Sequence, residues 1–159
     1  MTLSGIGYDV HRFAENRPLI LGGVEIPHSH GLDGHSDADV LVHAIADAVL
    51  GAIGERDIGH HFPNTDETIR GISSLEILRK AALLVRAQGG RVLNIDATLI
   101  AEAPKIGPHV AAMRANLAAV LDLPIARIGV KATTNERMGF IGRGEGIAAL
   151  AIAAVELPE

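Results

Sequence analysis

The chain has no cysteine and no tryptophan, and only 3% of its 159 residues are aromatic. Without thiols there is no disulfide, and any metal has to be held by His, Asp or Glu. Without bulky rings, aliphatic and alanine side chains must pack the interior. Positive charge is also scarce: 14 Lys and Arg stand against 19 Asp and Glu, a net charge of −5. No basic run is present to follow a phosphate backbone, which argues against nucleic acid as a partner. No apolar stretch reaches the roughly 20 residues of a bilayer-spanning helix. Met1-Thr2-Leu3-Ser4-Gly5 carries neither a basic leader nor an Arg/Ser-rich transit segment. The expectation is a cytoplasmic protein with no membrane partner.

What is present points to one folded domain over residues 1–159. Hydrophobic residues make up 48% of the chain, and a chain of this length can bury a real core. Seven of the eight histidines (His11, His28, His30, His35, His43, His60, His61) precede residue 62, leaving only His109 beyond it. One half is metal-competent, and the other half has different work.

Gly5 to His11 reads as a short strand, with glycines where another backbone comes close. Residues two apart on a strand share a face, so Asp9 and His11 set a carboxylate beside an imidazole. That is half of a zinc site. Leu19 to Ile26 is a hairpin turning at Gly22-Gly23. A helix follows to about Gly51, with Ser36 as its N-cap and Asp37 and Asp39 at its positive end. Within it Asp39, His43 and Asp47 form one polar stripe at i, i+4, i+8. The rest of that helix is small and aliphatic, hence buried, so the stripe must face something polar inside the protein. A metal beside Asp9 and His11 meets that need, with Asp39 or Asp47 orienting His43.

Arg56 to Asp66 reads as an irregular loop. Its adjacent His60 and His61 diverge and are not taken as a ligand pair. Ser73 and Glu76 match a capping box opening a helix to Gln88. Arg91 to Ala101 alternates as a strand, with Leu93, Ile95, Ala97 and Leu99 on one side and Asn94, Asp96 and Thr98 on the other. A loop, a helix over about 108–121 and a strand over 128–134 come next. Thr133 and Thr134 at that strand's end, with the glycine-rich run 135–144 after it, offer Thr hydroxyls, amides and an acid able to hold a phosphate with its divalent cation. The last strand, Ile147 to Val155, is almost continuously apolar and is expected to be buried partly between subunits. Together these elements predict an α/β or α+β fold, one mixed β-sheet covered by helices.

Several segments together resemble the 2-C-methyl-D-erythritol 2,4-cyclodiphosphate synthase family of the non-mevalonate isoprenoid pathway. They are Asp9-Val10-His11, the run from His35 to Val40 with His43 and Asp47, Asp57-Ile58-Gly59, Ala103-Pro104-Lys105, Lys131-Ala132-Thr133-Thr134, and Gly142-Arg143-Gly144-Glu145-Gly146. The resemblance covers essentially the whole chain in order. It implies a lyase that converts 4-diphosphocytidyl-2-C-methyl-D-erythritol 2-phosphate to the 2,4-cyclodiphosphate and CMP. It also implies that Asp9, His11 and His43 bind one zinc per chain. His35, Ser36, Asp57 and Gly59 would hold the methylerythritol phosphate. Ala101, Lys105, Ile106, Ala132, Thr133 and Thr134 would hold the cytidine and its phosphates, and Glu136 a second divalent ion, magnesium or manganese. The family is a homotrimer with sheets around a central axis and sites between neighbouring subunits. There Arg143 would meet an isoprenoid diphosphate in the central cavity, or else pair with Glu145 or Glu136. The chain departs from the family at Asn64, where many members have Asp, at Ile106-Gly107 in the cytidine loop, and at Leu150, often acidic.

The implied reaction brings a 2-phosphate onto a β-phosphorus, so repulsion and positioning dominate its barrier. Two cations answer that repulsion, the helix N-terminus after His35-Ser36 offers amides to an anion, and no nucleophilic side chain is needed. Two rivals remain: a zinc phosphoesterase using water, and a structural-zinc interaction protein whose fourth ligand would be His35.

Overall fold

Strand β1 (Thr2–Ala14) lies antiparallel against the C-terminal strand, from Thr2 opposite Glu156 to Arg12 opposite Gly146. In the computed structural model, which describes residues 1–63 and 65–159, these two long strands form the middle of the molecule. Asn64, one of the departures noted above, lies outside the described residues. In chain order the other elements are β2 (Leu19–Leu21), β3 (Val24–Ile26), β4 (Gly31–Leu32), α1 (Val40–Ala52), α2 (Ile58–His61) and α3 (Ser74–Ala87). Then come β5 (Arg91–Ile100), α4 (Val110–Leu121), β6 (Ile128–Thr133), α5 (Gly139–Gly142) and β7 (Gly146–Glu156). Five strands form a mixed sheet in the order β4-β1-β7-β5-β6, and β2 and β3 form a separate hairpin. Only β5 and β6 run parallel within the sheet. Among the described residues, no helix is long and apolar enough to cross a membrane.

Helix α1 is the core. Val40, Leu41, Val42, Ala44, Ile45, Ala46, Ala48 and Val49 are fully buried, as the nearly all-round apolar pattern requires. It lies directly on β1 because Gly5 and Gly7 have no side chains. A Cβ on Gly7 would overlap the carbonyl oxygen of Ala44, and one on Gly5 that of Ala48. Two residues further along the same strand face, Asp9 meets His43, the helix residue just before Ala44.

Several boundaries differ from the sequence-based expectation. Helix α1 begins at Val40 with Asp39, not Ser36, as its N-cap. The Asp39 carboxylate is wholly buried and accepts hydrogen bonds from the amides of Val42, Gly22 and Gly23. It thereby ties the hairpin turn, where both glycines have positive φ, to the start of the helix. Burial pushes this carboxyl up to about 6, although the Gly23 and Val42 amides pull it down. At that N-terminus the Asp39 carboxylate takes up the Val42 amide. The segment 56–66 contains α2, capped by Asp57. Helix α3 starts as expected, but Ser73 makes no side-chain cap, so the capping box does not form. Strand β5 carries an irregularity between Val92 and Asn94, so Val92 takes the buried place expected for Leu93.

The glycine contact predicts that Gly7→Ala will force α1 off β1. Such overpacking should cost roughly 3 kcal/mol, read as a lowered melting temperature, and should also lower metal content. A variant with wild-type melting and metal content would show that the close approach is dispensable.

Candidate metal centre and substrate cavity

Asp9 and His11 leave β1 on the face that meets α1, and His43 comes up from that helix. The Asp9 carboxylate oxygen lies 3.0 Å from His11 Nε2 and 3.0 Å from His43 Nδ1, and the two ring nitrogens are 3.2 Å apart. Ligand atoms around a tetrahedral zinc, with bonds of about 2.0–2.1 Å, stand about 3.3 Å apart. Among the described residues these three form the one His/Asp/Glu group able to hold a metal ion.

The surrounding hydrogen bonds fix where the protons are. His11 Nδ1 faces the carbonyl oxygen of Asp33 and must donate to it, which leaves Nε2 bare. His43 Nε2 lies 2.9 Å from Ser74 Oγ and 3.1 Å from Ser36 Oγ. The Ser74 hydroxyl gives its own proton to the Asp37 carboxylate, so it accepts from His43 Nε2–H, and Nδ1 is bare. Two imidazole lone pairs and a carboxylate thus converge on one point with no proton between them. That arrangement suits a divalent cation.

The electrostatics agree. With no ion in the site and a proton on these nitrogens instead, burial would raise the Asp9 carboxyl, yet hydrogen bonds and charge from His11 and His43 hold it well below the usual carboxylate range. His11 is pulled down by burial but pushed up further by Asp9 and by the Asp33 carbonyl, for a net rise. The cluster, left alone, attracts positive charge, and a metal ion supplies that charge without a proton. Asp47, which was expected to help orient His43, instead accepts from the Ile58 amide at 2.8 Å, and burial raises its carboxyl. Asp39 is committed to the hairpin. The residues that orient His43 are Ser74, which is wholly buried, and Ser36.

Beside the triad opens a cavity of about 230 Å³, lined by Asp9, His11, His35, Ser36, His43 and Gly59, with Ile58, Phe62, Ile69, Ile72 and Ile77 as an apolar wall. His35 Nε2 lies 3.2 Å from the Asp66 carbonyl and is not one of the three donors. An ion held by these three donors would keep its remaining position toward the cavity they line, unlike a closed structural site. Asp57 caps α2 through one carboxylate oxygen, which accepts from the His60 amide at 3.0 Å. His60 and His61 stack edge to face and take no part.

The residues of the second half lie elsewhere. Ala132 on β6 pairs with Leu99, Leu99 with Ala149, and Ala149 with Asp9. Ala132 is therefore level with Asp9 but three strands away, about 14 Å at the usual strand spacing. Ala101 and Ile106 are buried, whereas Lys105, Ala132, Thr133, Thr134 and Glu136 are exposed. The Thr134 hydroxyl donates to Glu136 Oε1 at 3.2 Å. Arg143 is exposed and paired with Glu145 of the same chain at 2.7 Å. None of these residues lines the cavity beside the triad.

The sequence pattern of the YgbB family matches residues 2–156. The chain belongs to the YgbB family. A relative from Akkermansia muciniphila, named 2-C-methyl-D-erythritol 2,4-cyclodiphosphate synthase, is 58% identical over all of this chain and 95% of its own length. Among solved structures, the bifunctional IspDF of Campylobacter jejuni superposes with a TM-score of 0.95 at 46% identity, over all of this chain and 43% of that one. A CDP complex of IspF from Plasmodium falciparum superposes with a TM-score of 0.86 at 34% identity, over 99% of this chain and 97% of that one. The YgbB chain described here thus spans less than half of the bifunctional protein and nearly all of the single-function ones.

Ser74 was missed in the sequence because its local pattern is only that of a helix start. Removing its hydroxyl strands His43 Nε2–H and frees the ring to change tautomer. Ser74→Ala is expected to weaken divalent-metal affinity by roughly 10–100-fold, measured by competition with a chromophoric chelator. Unchanged affinity would mean that Ser36 alone fixes the ring.

Proposed function

We propose that this chain is a cyclodiphosphate synthase that closes 4-diphosphocytidyl-2-C-methyl-D-erythritol 2-phosphate to the 2,4-cyclodiphosphate with loss of CMP. The observation that carries the reading is the open-sided triad of Asp9, His11 and His43 at the mouth of a half-polar cavity, in a chain so similar to enzymes of that name. The donor set of two nitrogens and one oxygen suits zinc, one ion per chain. When bound, the ion would polarise a phosphate oxygen and neutralise charge as the anionic groups approach. His35, Ser36 and Gly59 line the cavity and would seat the methylerythritol phosphate, with Asp57 holding the α2 turn beside them. The apolar wall from Ile58 to Ile77 would exclude water, which favours cyclisation over hydrolysis. The substrate's own 2-phosphate is the nucleophile, and CMP carries away the bonding pair from the β-phosphorus.

The cytidine side needs a second chain. Lys105, Ile106, Ala132, Thr133 and Thr134, with Ala101, would hold the nucleotide, and Glu136 a second divalent ion, magnesium or manganese. In one chain they are far from the triad cavity. A homotrimer around a central axis brings the Thr133-Thr134 half of one subunit to the His-rich half of the next. Ile6, Tyr8 and Val10 on β1 and Leu150 and Ile152 on β7 are exposed on the outer sheet face. Ile6 stands opposite Ile152 and Tyr8 opposite Leu150, an apolar surface of the kind subunits bury. An isoprenoid diphosphate bound on that axis would have to displace Glu145 from Arg143. We take the whole of 1–159 as one domain acting in the cytoplasm.

Phosphorus NMR of the reaction with zinc and magnesium should show the cyclic diphosphate and CMP. A linear phosphate product would favour the zinc phosphoesterase instead. His43→Ala and Thr134→Ala should each be inactive. If sites are shared, mixing them 1:1 with subunit exchange should restore about a quarter of wild-type activity, since random pairing leaves that fraction of sites intact. No recovery on confirmed exchange would contradict the shared site.

A further inference from the structure

Glu102 has no assigned part in the site, yet its carboxylate joins the two loops of the nucleotide half. Strands β5 and β6 are parallel, so the segments that follow them leave the sheet at the same edge. At the carboxyl ends of parallel strands, loops of this kind collect ligands. The ladder is prolonged by one bond, from the Ala101 amide to the Thr133 carbonyl at 2.9 Å. Beyond it the backbones separate, and Glu102 bridges the gap. Its Oε1 accepts from the Asn135 amide at 2.9 Å and from the Arg137 amide at 3.1 Å.

The turn it grips is an unfavourable one. Glu136 and Arg137 both have left-handed backbones, with φ of 51° and 59°, a conformation that residues with side chains seldom adopt, least of all in succession. Something must hold it. From behind, the chain is backed by Gly142, where any Cβ would overlap the Arg137 backbone. Asn135 also donates through its side-chain amide to the Met138 carbonyl at 2.8 Å. In front, the only acceptor for the Asn135 and Arg137 amides among the described residues is Glu102. The strained turn is what presents the Glu136 carboxylate beside the Thr134 hydroxyl, and the Glu136 amide returns a bond to Thr134 Oγ at 3.2 Å. If the clamp were lost, the turn would relax and the Thr134–Glu136 pair would move with it.

We propose that Glu102 is a positioning residue: through two backbone amides it locks the Thr134–Glu136 turn in the shape that receives the nucleotide's diphosphate and its cation. It acts as a hydrogen-bond acceptor and does not touch the ligand. This rests on the reading of the Lys105 and Thr133-Thr134 loops as the nucleotide side.

The test compares wild type, Glu102→Ala and Glu102→Gln in amide hydrogen exchange, in calorimetry with CDP and magnesium, and in steady-state kinetics. The glutamine keeps an oxygen at Oε1 and can accept the same two bonds. In Glu102→Ala, exchange at Asn135 and Arg137 is expected to quicken, and CDP affinity to fall roughly tenfold, the worth of a lost hydrogen bond or two. KM should rise by a similar factor with kcat less affected, and metal content at Asp9, His11 and His43 should be unchanged. Glu102→Gln should restore all of these to near wild type. Unaltered exchange in Glu102→Ala overturns the clamp. A Glu102→Gln variant as weak as Glu102→Ala overturns it too, because the charge would then be a ligand. Failure of the wild type to bind CDP would instead defeat the nucleotide reading, while the exchange measurement would still decide the clamp.

Discussion

The approach of α1 to β1 is the constraint from which the rest follows. Gly5 and Gly7 let the helix backbone rest on the strand, where any side chain would collide with the carbonyls of Ala48 and Ala44. Strand residues two apart share a face, so Asp9 follows Gly5 and Gly7 onto the helix, where it meets the His43 side chain beside Ala44. Side chains from the two elements then meet at hydrogen-bond distance without reaching. The metal centre is thus a continuation of core packing. Its geometry is held by buried, close-packed atoms and not by a mobile loop.

Packing alone would leave three lone pairs in repulsion. The outer hydrogen bonds make the arrangement chemically definite: the Asp33 carbonyl accepts from the N–H of one imidazole, and the Ser74 hydroxyl, itself donating to Asp37, accepts from that of the other. A cation becomes the missing member of the set. The same economy recurs on the far side of the sheet, where a carboxylate holds a strained turn by its amides. In both places a YgbB chain uses residues outside the triad cavity's lining to orient those proposed to meet metal or substrate.

Asp9, His11 and His43 were legible in the sequence because each sits in a regular element, where period fixes direction. The helix N-cap was harder. Ser36, Asp37 and Asp39 are all good capping residues, and only the fold shows that Asp39 is the one used, accepting from the Val42 amide while the hairpin amides of Gly22 and Gly23 fix its carboxylate. Ser74 and Glu102 could not be read at all, since their partners stand 31 residues away in one case and 33 and 35 in the other. The irregularity in β5 was hidden because Val92 and Leu93 are both apolar, so alternation fits either register. The Thr133-Thr134 half was legible as a phosphate-holding segment, but its assignment to a nucleotide came only through resemblance. Nothing in one chain brings it to the triad, and the proposed contact between chains would leave no local pattern beyond the apolar face of β1 and β7.

Zinc-edge X-ray absorption on the zinc-loaded protein bears most directly on the idea that glycine-mediated packing builds an open, three-ligand zinc centre. Two imidazole nitrogens and two oxygens at about 2.0–2.1 Å are expected, one oxygen from Asp9 and one exchangeable for phosphate. A third imidazole that persists when phosphate is added, or a six-coordinate shell at longer distances, would contradict it.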